Sequence, residues 1–261
     1  MNESLIKYLA GLMDADGSLS FSFKKYERDE ERIFLGLCLS LASSKAVDQR
    51  GFIPTLPTIT GMGGVYFYGS EKQFISWTIG KRSQLEMILP RLIKHMVVKG
   101  KHWQWLLDTW REQRGGSISK AKRIEMTTAS KKSRIERAGP LKPKNHPTWA
   151  WLAGYLDGDG WYRRRYAKSP HNYWSMQVGA VAHFNDIGVL EFLHKAFGGN
   201  IREHGQSLNA RVWVRNLGIK DTSFALRFLP KVARHSRLKR HKIDQIIHHH
   251  RQRLSVPSPA G

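Results

Sequence analysis

One cysteine, Cys38, stands in the 261-residue chain. A lone thiol excludes an intramolecular disulfide framework and any cysteine-rich zinc module, and it fits a reducing interior. Long apolar runs are lacking too: none approaches the ~20 residues that a membrane-spanning helix needs. The amino terminus, MNESLIKYLAGLMDADG, passes within a few residues into a motif, so no secretory signal is expected. The expectation is an intracellular protein without a membrane span, its compartment left open. Acidic residues are scarce, 21 Asp and Glu against 43 Lys and Arg, and the formal net charge is +22. Solubility alone does not call for so much charge of one sign. A polyanionic partner does, because each neutralised phosphate releases counterions; an acidic membrane surface is the other polyanion to weigh. The length suffices for one large domain or two small ones with real cores.

What the chain does contain is a repeat. Leu9-Ala10-Gly11-Leu12-Met13-Asp14-Ala15-Asp16-Gly17 returns as Leu152-Ala153-Gly154-Tyr155-Leu156-Asp157-Gly158-Asp159-Gly160, with six of the nine positions identical. Other landmarks recur in the same order. An alternating stretch follows each motif, then a Gly-Gly pair (Gly63-Gly64, Gly198-Gly199), then a Leu-Pro step with a lysine nine residues after the proline: Leu89-Pro90 with Lys99, and Leu229-Pro230 with Lys239. Ordered recurrence of this kind implies duplication and a pseudo-two-fold molecule. Residues 1–114 and 147–254 are read as the two repeats. Residues 115–146 are read as a basic linker with room for one helical turn or more, and residues 255–261 as a disordered tail.

Periodicity places helices at about 3–14 and 147–157, the second opened by Pro147-Thr148. Leu19, Phe21 and Phe23 alternate with Ser20, Ser22 and Lys24, as in a half-buried strand; Tyr162, Arg164 and Tyr166 alternate likewise with Trp161, Arg163 and Arg165. Further strands are expected at about 33–43, 64–69, 72–79, 173–184, 200–204 and 208–216, and helices at about 81–95, 99–113, 186–197, 218–229 and 237–252. Pro54 and Pro57 should shorten, in the first half, the helix that 186–197 forms in the second. Antiparallel pairs with one face under helices give an α+β fold.

The motif itself carries chemistry. Ala10-Gly11 and Ala153-Gly154 allow two helix backbones to approach closely, with Leu9, Leu12, Leu152 and Leu156 on the flanks of the seam. Each helix ends at Asp-x-Asp-Gly, where glycine is expected to leave the helix at positive φ. Two such helices about a pseudo-dyad bring Asp16 and Asp159 side by side. Paired carboxylates repel unless a divalent cation lies between them, and a hard cation such as Mg²⁺ suits carboxylate and carbonyl oxygen with several waters retained. A calcium loop of the EF-hand kind fails, because position twelve is Lys25 counted from Asp14 and Lys168 counted from Asp157. An ordinary capped helix end would explain one copy of the motif better than two. Nor do His248-His249-His250 make a metal site, since consecutive helical residues do not share a face; a basic helix end near a polyanion is the reading kept.

These motifs, the strands behind them and the spacing to Lys99 and Lys239 resemble the LAGLIDADG homing endonucleases in their single-chain, two-repeat form. The resemblance covers nearly the whole chain apart from the linker and tail. It implies duplicated αββαββα half-domains, two antiparallel four-stranded sheets forming a DNA-binding saddle, and the motif helices as the domain interface. By the same resemblance Asp16 and Asp159 bind the metal, the carbonyls of Ala15 and Gly158 join the coordination, and Lys99 and Lys239 are the basic catalytic residues. The cofactor implied is Mg²⁺, with Mn²⁺ expected to substitute and Ca²⁺ to bind without supporting cleavage. A polar residue late in the second strand is also implied, for which Ser43, Ser44 and His183 are candidates without an assigned role.

A saddle on DNA presents polar strand residues to the major groove. The candidates are Ser20, Ser22, Lys24 and Gln73 in the first half, and Arg163, Arg165, Arg202, His204, Arg211 and Arg215 in the second. The two sets differ, so the target should be asymmetric. The function expected is a monomeric, metal-dependent endonuclease that hydrolyses one phosphodiester per strand of a long double-stranded DNA site. The alternatives are an intron RNA maturase and a non-catalytic DNA-binding regulator on the same fold; loss of the acidic pair would favour the regulator, and here both aspartates are present.

Overall fold

The computed structural model describes residues 1–25, 31–42, 51–69, 74–113, 117–136, 147–167, 173–183, 187–197, 200–206, 213–219 and 222–254. The first half runs α1 (Glu3–Asp16), β1 (Gly17–Lys25), β2 (Glu31–Ala42), a 3₁₀ turn (Ile53–Thr55) leading into α2 (Leu56–Thr60), β3 (Gly64–Tyr68), β4 (Phe74–Ile79), α3 (Arg82–Ile93) and α4 (Gly100–Glu112). A further helix, α5 (Lys120–Glu136), precedes the second half: α6 (Trp149–Gly158), β5 (Gly160–Ala167), β6 (Tyr173–His183), α7 (Ile187–Phe197), β7 (Asn200–Gln206), β8 (Trp213–Ile219), α8 (Thr222–Ala233) and α9 (Arg240–Leu254). The fold is α+β, with two four-stranded antiparallel sheets of matching order, β1-β2-β4-β3 and β5-β6-β8-β7.

Local sequence explains the motif helices. Asn2 Oδ1 caps α1 by accepting from Leu5 N at 2.8 Å, and Thr148 Oγ1 caps α6 by accepting from Trp151 N at 3.2 Å. Behind them β1 and β2 each put one side chain in two into the core. Leu19, Ile33, Leu35, Leu37, Leu39 and Leu41 are buried, whereas Ser18, Ser20, Ser22, Lys24, Arg32 and Phe34 are exposed on the other face. Trp77, Trp103, Trp151, Tyr8, Tyr155 and Tyr162 are among the largest buried side chains of the described residues, so much of the aromatic content serves packing.

Several expectations are corrected. Gly17 does not leave α1 at positive φ; it is extended, with φ −79° and ψ 151°. Its role is steric. A Cβ there would lie 2.6 Å from Met13 Cα and 2.7 Å from Met13 O, and at Gly160 one would lie 2.4 Å from Leu156 O, because each first strand folds back over the last turn of its motif helix. The second-half helix expected to stop at 229 runs through Pro230 to Ala233, as α3 runs through Pro90. Each proline sits near its helix's end, so only its own missing N–H is lost, while Lys94 N and Arg234 N still donate to Pro90 O and Pro230 O. The last strand runs to Ile219 rather than ending at 216, and its expected start at 208–212 lies outside the described residues.

Pro54 and Pro57 do accompany a shortened segment. The 3₁₀ turn and the five residues of α2 stand where the second half has the eleven residues of α7. Within 115–146 the structure shows the 17-residue α5 docked on the first half. Ile118 and Met126 are buried, Arg123 Nη1 donates to Glu31 Oε1 at 2.6 Å, and His102 Nδ1 lies 3.2 Å from Ser133 Oγ. This part of the linker is therefore anchored through apolar burial and an ion pair rather than left as a free tether.

Candidate active site at the helix seam

α1 and α6 pack along their length at a contact set by glycine. A Cβ on Gly11 would lie 1.9 Å from Trp151 O and 2.9 Å from Tyr155 N; one on Gly154 would lie 2.0 Å from Tyr8 O and 2.8 Å from Leu12 N. The two contacts are the same contact repeated by rotation about a pseudo-dyad, because Gly11 and Gly154 hold the same motif position and Tyr8 and Trp151 immediately precede their motifs. Leu9, Ala10, Leu12, Leu152, Ala153 and Leu156 are buried around them, as a seam between two half-cores requires.

At the carboxyl ends of both helices the motif aspartates divide into two kinds. Asp14 and Asp157 are buried, at 3% and 0% exposure. Asp14 Oδ1 accepts from Lys99 N at 2.8 Å, and its Oδ2 accepts from Val97 N at 2.7 Å and from Trp151 Nε1 at 2.9 Å. Asp157 Oδ1 accepts from Ser236 Oγ at 2.7 Å; its Oδ2 accepts from Tyr8 Oη and Arg237 N at 2.8 Å and from Leu238 N at 3.0 Å. Burial pushes the Asp14 carboxyl up from its ordinary range, against the pull of the N–H groups of Lys99 and Val97. Burial, and then the neighbouring Asp157, hold the Tyr8 hydroxyl well above its usual value, so it keeps its proton and donates. These two carboxylates thus do more than shape helix ends: they hold the turns that deliver the lysines.

Lys99 Nζ donates to the carbonyls of Met13, Ala15 and Gly17 at 3.1, 2.9 and 2.8 Å. Lys239 Nζ donates to Leu156, Gly158 and Gly160 at 2.9, 3.2 and 2.6 Å. The accepting positions correspond one for one across the repeat. Each ammonium therefore lies against the negative end of its motif helix and donates to main-chain carbonyls of the helix end and the first residue of the following strand.

Asp16 belongs to the other kind. Its Oδ2 is shielded from solvent, and a Cβ on Gly158 would lie 2.8 Å from that oxygen and 2.5 Å from Ala15 Cβ. The carboxylate on one helix thus reaches the end of the other. Among the described residues no cluster of three or more His, Cys, Asp or Glu side chains is placed to hold a metal. The hard donors seen at the seam are the Asp16 carboxylate and main-chain oxygen, with Asp159 standing at the carboxyl end of α6. That fits a Mg²⁺-like ion, which takes one or two carboxylates and completes its shell with water and substrate phosphate. The Ala15 and Gly158 carbonyls already accept a lysine proton, and each retains a second lone pair.

Of the surface residues named from the sequence, Ser20, Ser22 and Lys24 are exposed on β1. Arg163 and Arg165 pair with Gln177 and Ser175, and Arg202 and His204 with Asn216 and Val214, all in one register series, which Trp161 and His183 share. Arg215 does not join them. It pairs with Ala182 and Glu203, the series that carries Tyr162, Ile201 and Leu217. Trp213, Leu217 and Ile219 stand at the same two-residue period as Arg215 in the sequence, so its position falls in an apolar series. Gln73, Arg211, Ser43 and Ser44 lie outside the described residues. Sequence reasoning missed Tyr8, Trp151 and Ser236 as partners of the buried aspartates, and it missed the exposed aromatics Phe34, Tyr66 and Tyr68 on the first sheet. Phe34 pairs with Ser22, and Tyr66 and Tyr68 with Ser76 and Phe74, so they stand on the serine face.

No family model matches the sequence, and no curated protein does. Solved structures do resemble it. The homing endonuclease I-SmaMI bound to cleaved DNA superposes with a TM-score of 0.66 at 16% identity, covering 98% of this chain and 92% of that one. The meganuclease I-AabMI bound to uncleaved DNA gives 0.67 at 14%, covering 97% and 92%. I-SmaMI on an uncleaved target with calcium ions gives 0.64 at 14%, covering 99% and 94%.

Proposed function

We propose that this chain, which has the fold of the LAGLIDADG homing endonucleases, is a site-specific double-stranded DNA endonuclease that hydrolyses one phosphodiester per strand at the seam between α1 and α6. The observation that carries the reading is the glycine contact of Gly11 and Gly154 against facing carbonyls. It brings the ends of two Asp-x-Asp-Gly helices together, with Asp16 against Gly158, in a chain of net charge +22. A phosphate backbone supplies the negative charge that such a surface seeks. The neighbouring structures are bound to DNA, one of them with calcium ions.

In this reading Asp16 and Asp159, with the Ala15 and Gly158 carbonyls, hold divalent metal, which supplies a polarised phosphoryl oxygen and a water acidified for attack. Mg²⁺ is the ion proposed, with Mn²⁺ able to replace it and Ca²⁺ supporting binding without cleavage. Two carboxylates make a weak site on their own, so metal affinity rises when DNA adds phosphate oxygen. Lys99 and Lys239 act as fixed positive charges. Held against main-chain carbonyls at the helix ends, they favour the developing negative charge through the field. Lys99→Ala and Lys239→Ala are each expected to slow cleavage by about 10²-fold, with binding in calcium nearly unchanged.

The first sheet reads DNA through Ser20, Ser22 and Lys24, the second through Arg163, Arg165, Arg202 and His204, so one monomer addresses an asymmetric site. The deciding experiment incubates the purified protein with DNA that joins the sequences flanking its gene, the gene itself removed. Cutting of both strands in magnesium, leaving short 3′ overhangs, with none in calcium, supports the reading. Binding without cutting in magnesium overturns it.

A further inference from the structure

We propose that Tyr8 and Trp151 are crossed positioning residues, each setting the catalytic lysine of the opposite half. The inference rests on the nuclease reading and assigns these two side chains within it. The geometry is reciprocal. Tyr8, on α1, donates across the seam to Asp157 Oδ2 at 2.8 Å. That oxygen also takes Arg237 N and Leu238 N, the two peptides that lead into Lys239. Trp151, on α6, donates across the seam to Asp14 Oδ2 at 2.9 Å. Asp14 in turn takes Val97 N and, at 2.8 Å, the amide of Lys99 itself.

A phenol in one half and an indole in the other thus perform the same task from the same motif-flanking position. The letters differ, so what the duplication retains there is a donor that reaches over the dyad. Both donors are fully buried, Tyr8 at 2% and Trp151 at 1% exposure, and the carbonyl of each is also the seat of the facing glycine. The seam therefore fixes the spacing of the helices and the position of the lysines with the same two residues. Loosening Tyr8 should disturb Lys239 and leave Lys99 in place; loosening Trp151 should do the reverse.

In the nuclease reading each strand of the target is cut beside one of the two lysines, so the crossed wiring is read as strand bias. The full-length protein is assayed on its cleavage site with the two strands labelled separately, as Tyr8→Phe, Trp151→Phe, Lys99→Ala and Lys239→Ala. The expected result is that Tyr8→Phe slows the strand that Lys239→Ala slows, and Trp151→Phe the strand that Lys99→Ala slows, each by about tenfold or more, so that nicked plasmid accumulates. Tyr8→Phe removes one oxygen and keeps the ring. Binding to the same DNA in calcium and the melting temperature report whether Trp151→Phe, which leaves a small cavity, has folded. Equal slowing of both strands, or pairing with the wrong lysine, overturns the proposal while leaving the nuclease reading intact. Absence of any cutting by the unsubstituted protein overturns the nuclease reading, and the proposal with it.

Discussion

Asp16→Asn and Asp159→Asn each leave a folded protein that binds its DNA in calcium and no longer makes double-strand breaks in magnesium. The substitution keeps the shape of the side chain and removes the charge that a hard cation requires. Lewis-acid stabilisation by such an ion is worth several kcal/mol, at tenfold in rate for about 1.4 kcal/mol, so a loss of about 10³-fold or more is expected. Asp16 Oδ2 lies against Gly158 at the end of the opposite helix, and with Asp159 proposed to hold metal beside it, either change is expected to suffice. The same substitution two residues earlier has a different outcome. Asp14 accepts three donors and Asp157 four, all within the protein. An asparagine there offers one oxygen and points an N–H₂ group at groups that also donate. Asp14→Asn and Asp157→Asn should each cost about 3 kcal/mol, which for a chain of this size lowers the melting temperature by roughly 10 °C. Double-strand cleavage retained in magnesium by Asp16→Asn or Asp159→Asn removes the metal assignment. An unchanged melting temperature in Asp14→Asn removes the division of labour between the aspartates.

That division was only half legible in the sequence. Four aspartates stand in two Asp-x-Asp-Gly strings; the pseudo-dyad brought the second of each pair together, and the resemblance assigned those two the metal. What Asp14 and Asp157 do depends on residues 83 to 85 and 79 to 81 positions further along the chain, brought back by α3 and α8. No local period encodes such a return. The repeat itself was visible because the seam tolerates little at Gly11 and Gly154, and identical constraints on two helices leave identical letters. Tyr8 and Trp151 escaped notice for the opposite reason: two different side chains satisfy one geometric need, so comparing letters shows nothing there.

The strand positions of β1 followed from strict alternation between Leu or Phe and Ser. The end of β8 did not, because Arg215 interrupts an apolar series that continues to Ile219, three residues past the expected end. α5 was read as mostly linker, since its sequence is basic and sparsely apolar. Its order comes from tertiary contacts, chiefly buried Met126, buried Ile118 just before the helix and the Arg123–Glu31 pair, which a low helical bias on its own does not announce.

Gly11→Ala and Gly154→Ala are expected to be the most damaging single-methyl changes in the molecule. The added carbon would sit 1.9 Å from Trp151 O in the first case and 2.0 Å from Tyr8 O in the second, and both obstacles are helix backbone. A side chain can swing aside; a helical carbonyl moves only with its helix, so α1 and α6 must separate. Overpacking of this kind costs about 3 kcal/mol or more, a fall of roughly 10 °C in melting temperature. Activity should suffer further, since a displacement of about 1 Å at reacting groups costs about 10²-fold. Spreading the helices also stretches both crossed hydrogen bonds, so these variants slow both strands together, unlike Tyr8→Phe. Gly36→Ala is the matched control: it lies on the first sheet with nothing within 4 Å of the added carbon, and the melting temperature should stay within about 2 °C of the parent protein, an energy change of ±0.5 kcal/mol. Thermal melts of the three variants, read beside the two-strand assay, separate a seam that spaces catalytic helices from one that merely joins two half-domains. If Gly11→Ala melts like Gly36→Ala and cuts at the parent rate, glycine contact does not set the distance between Asp16 and the opposite helix, and the centre described here is not held by that seam.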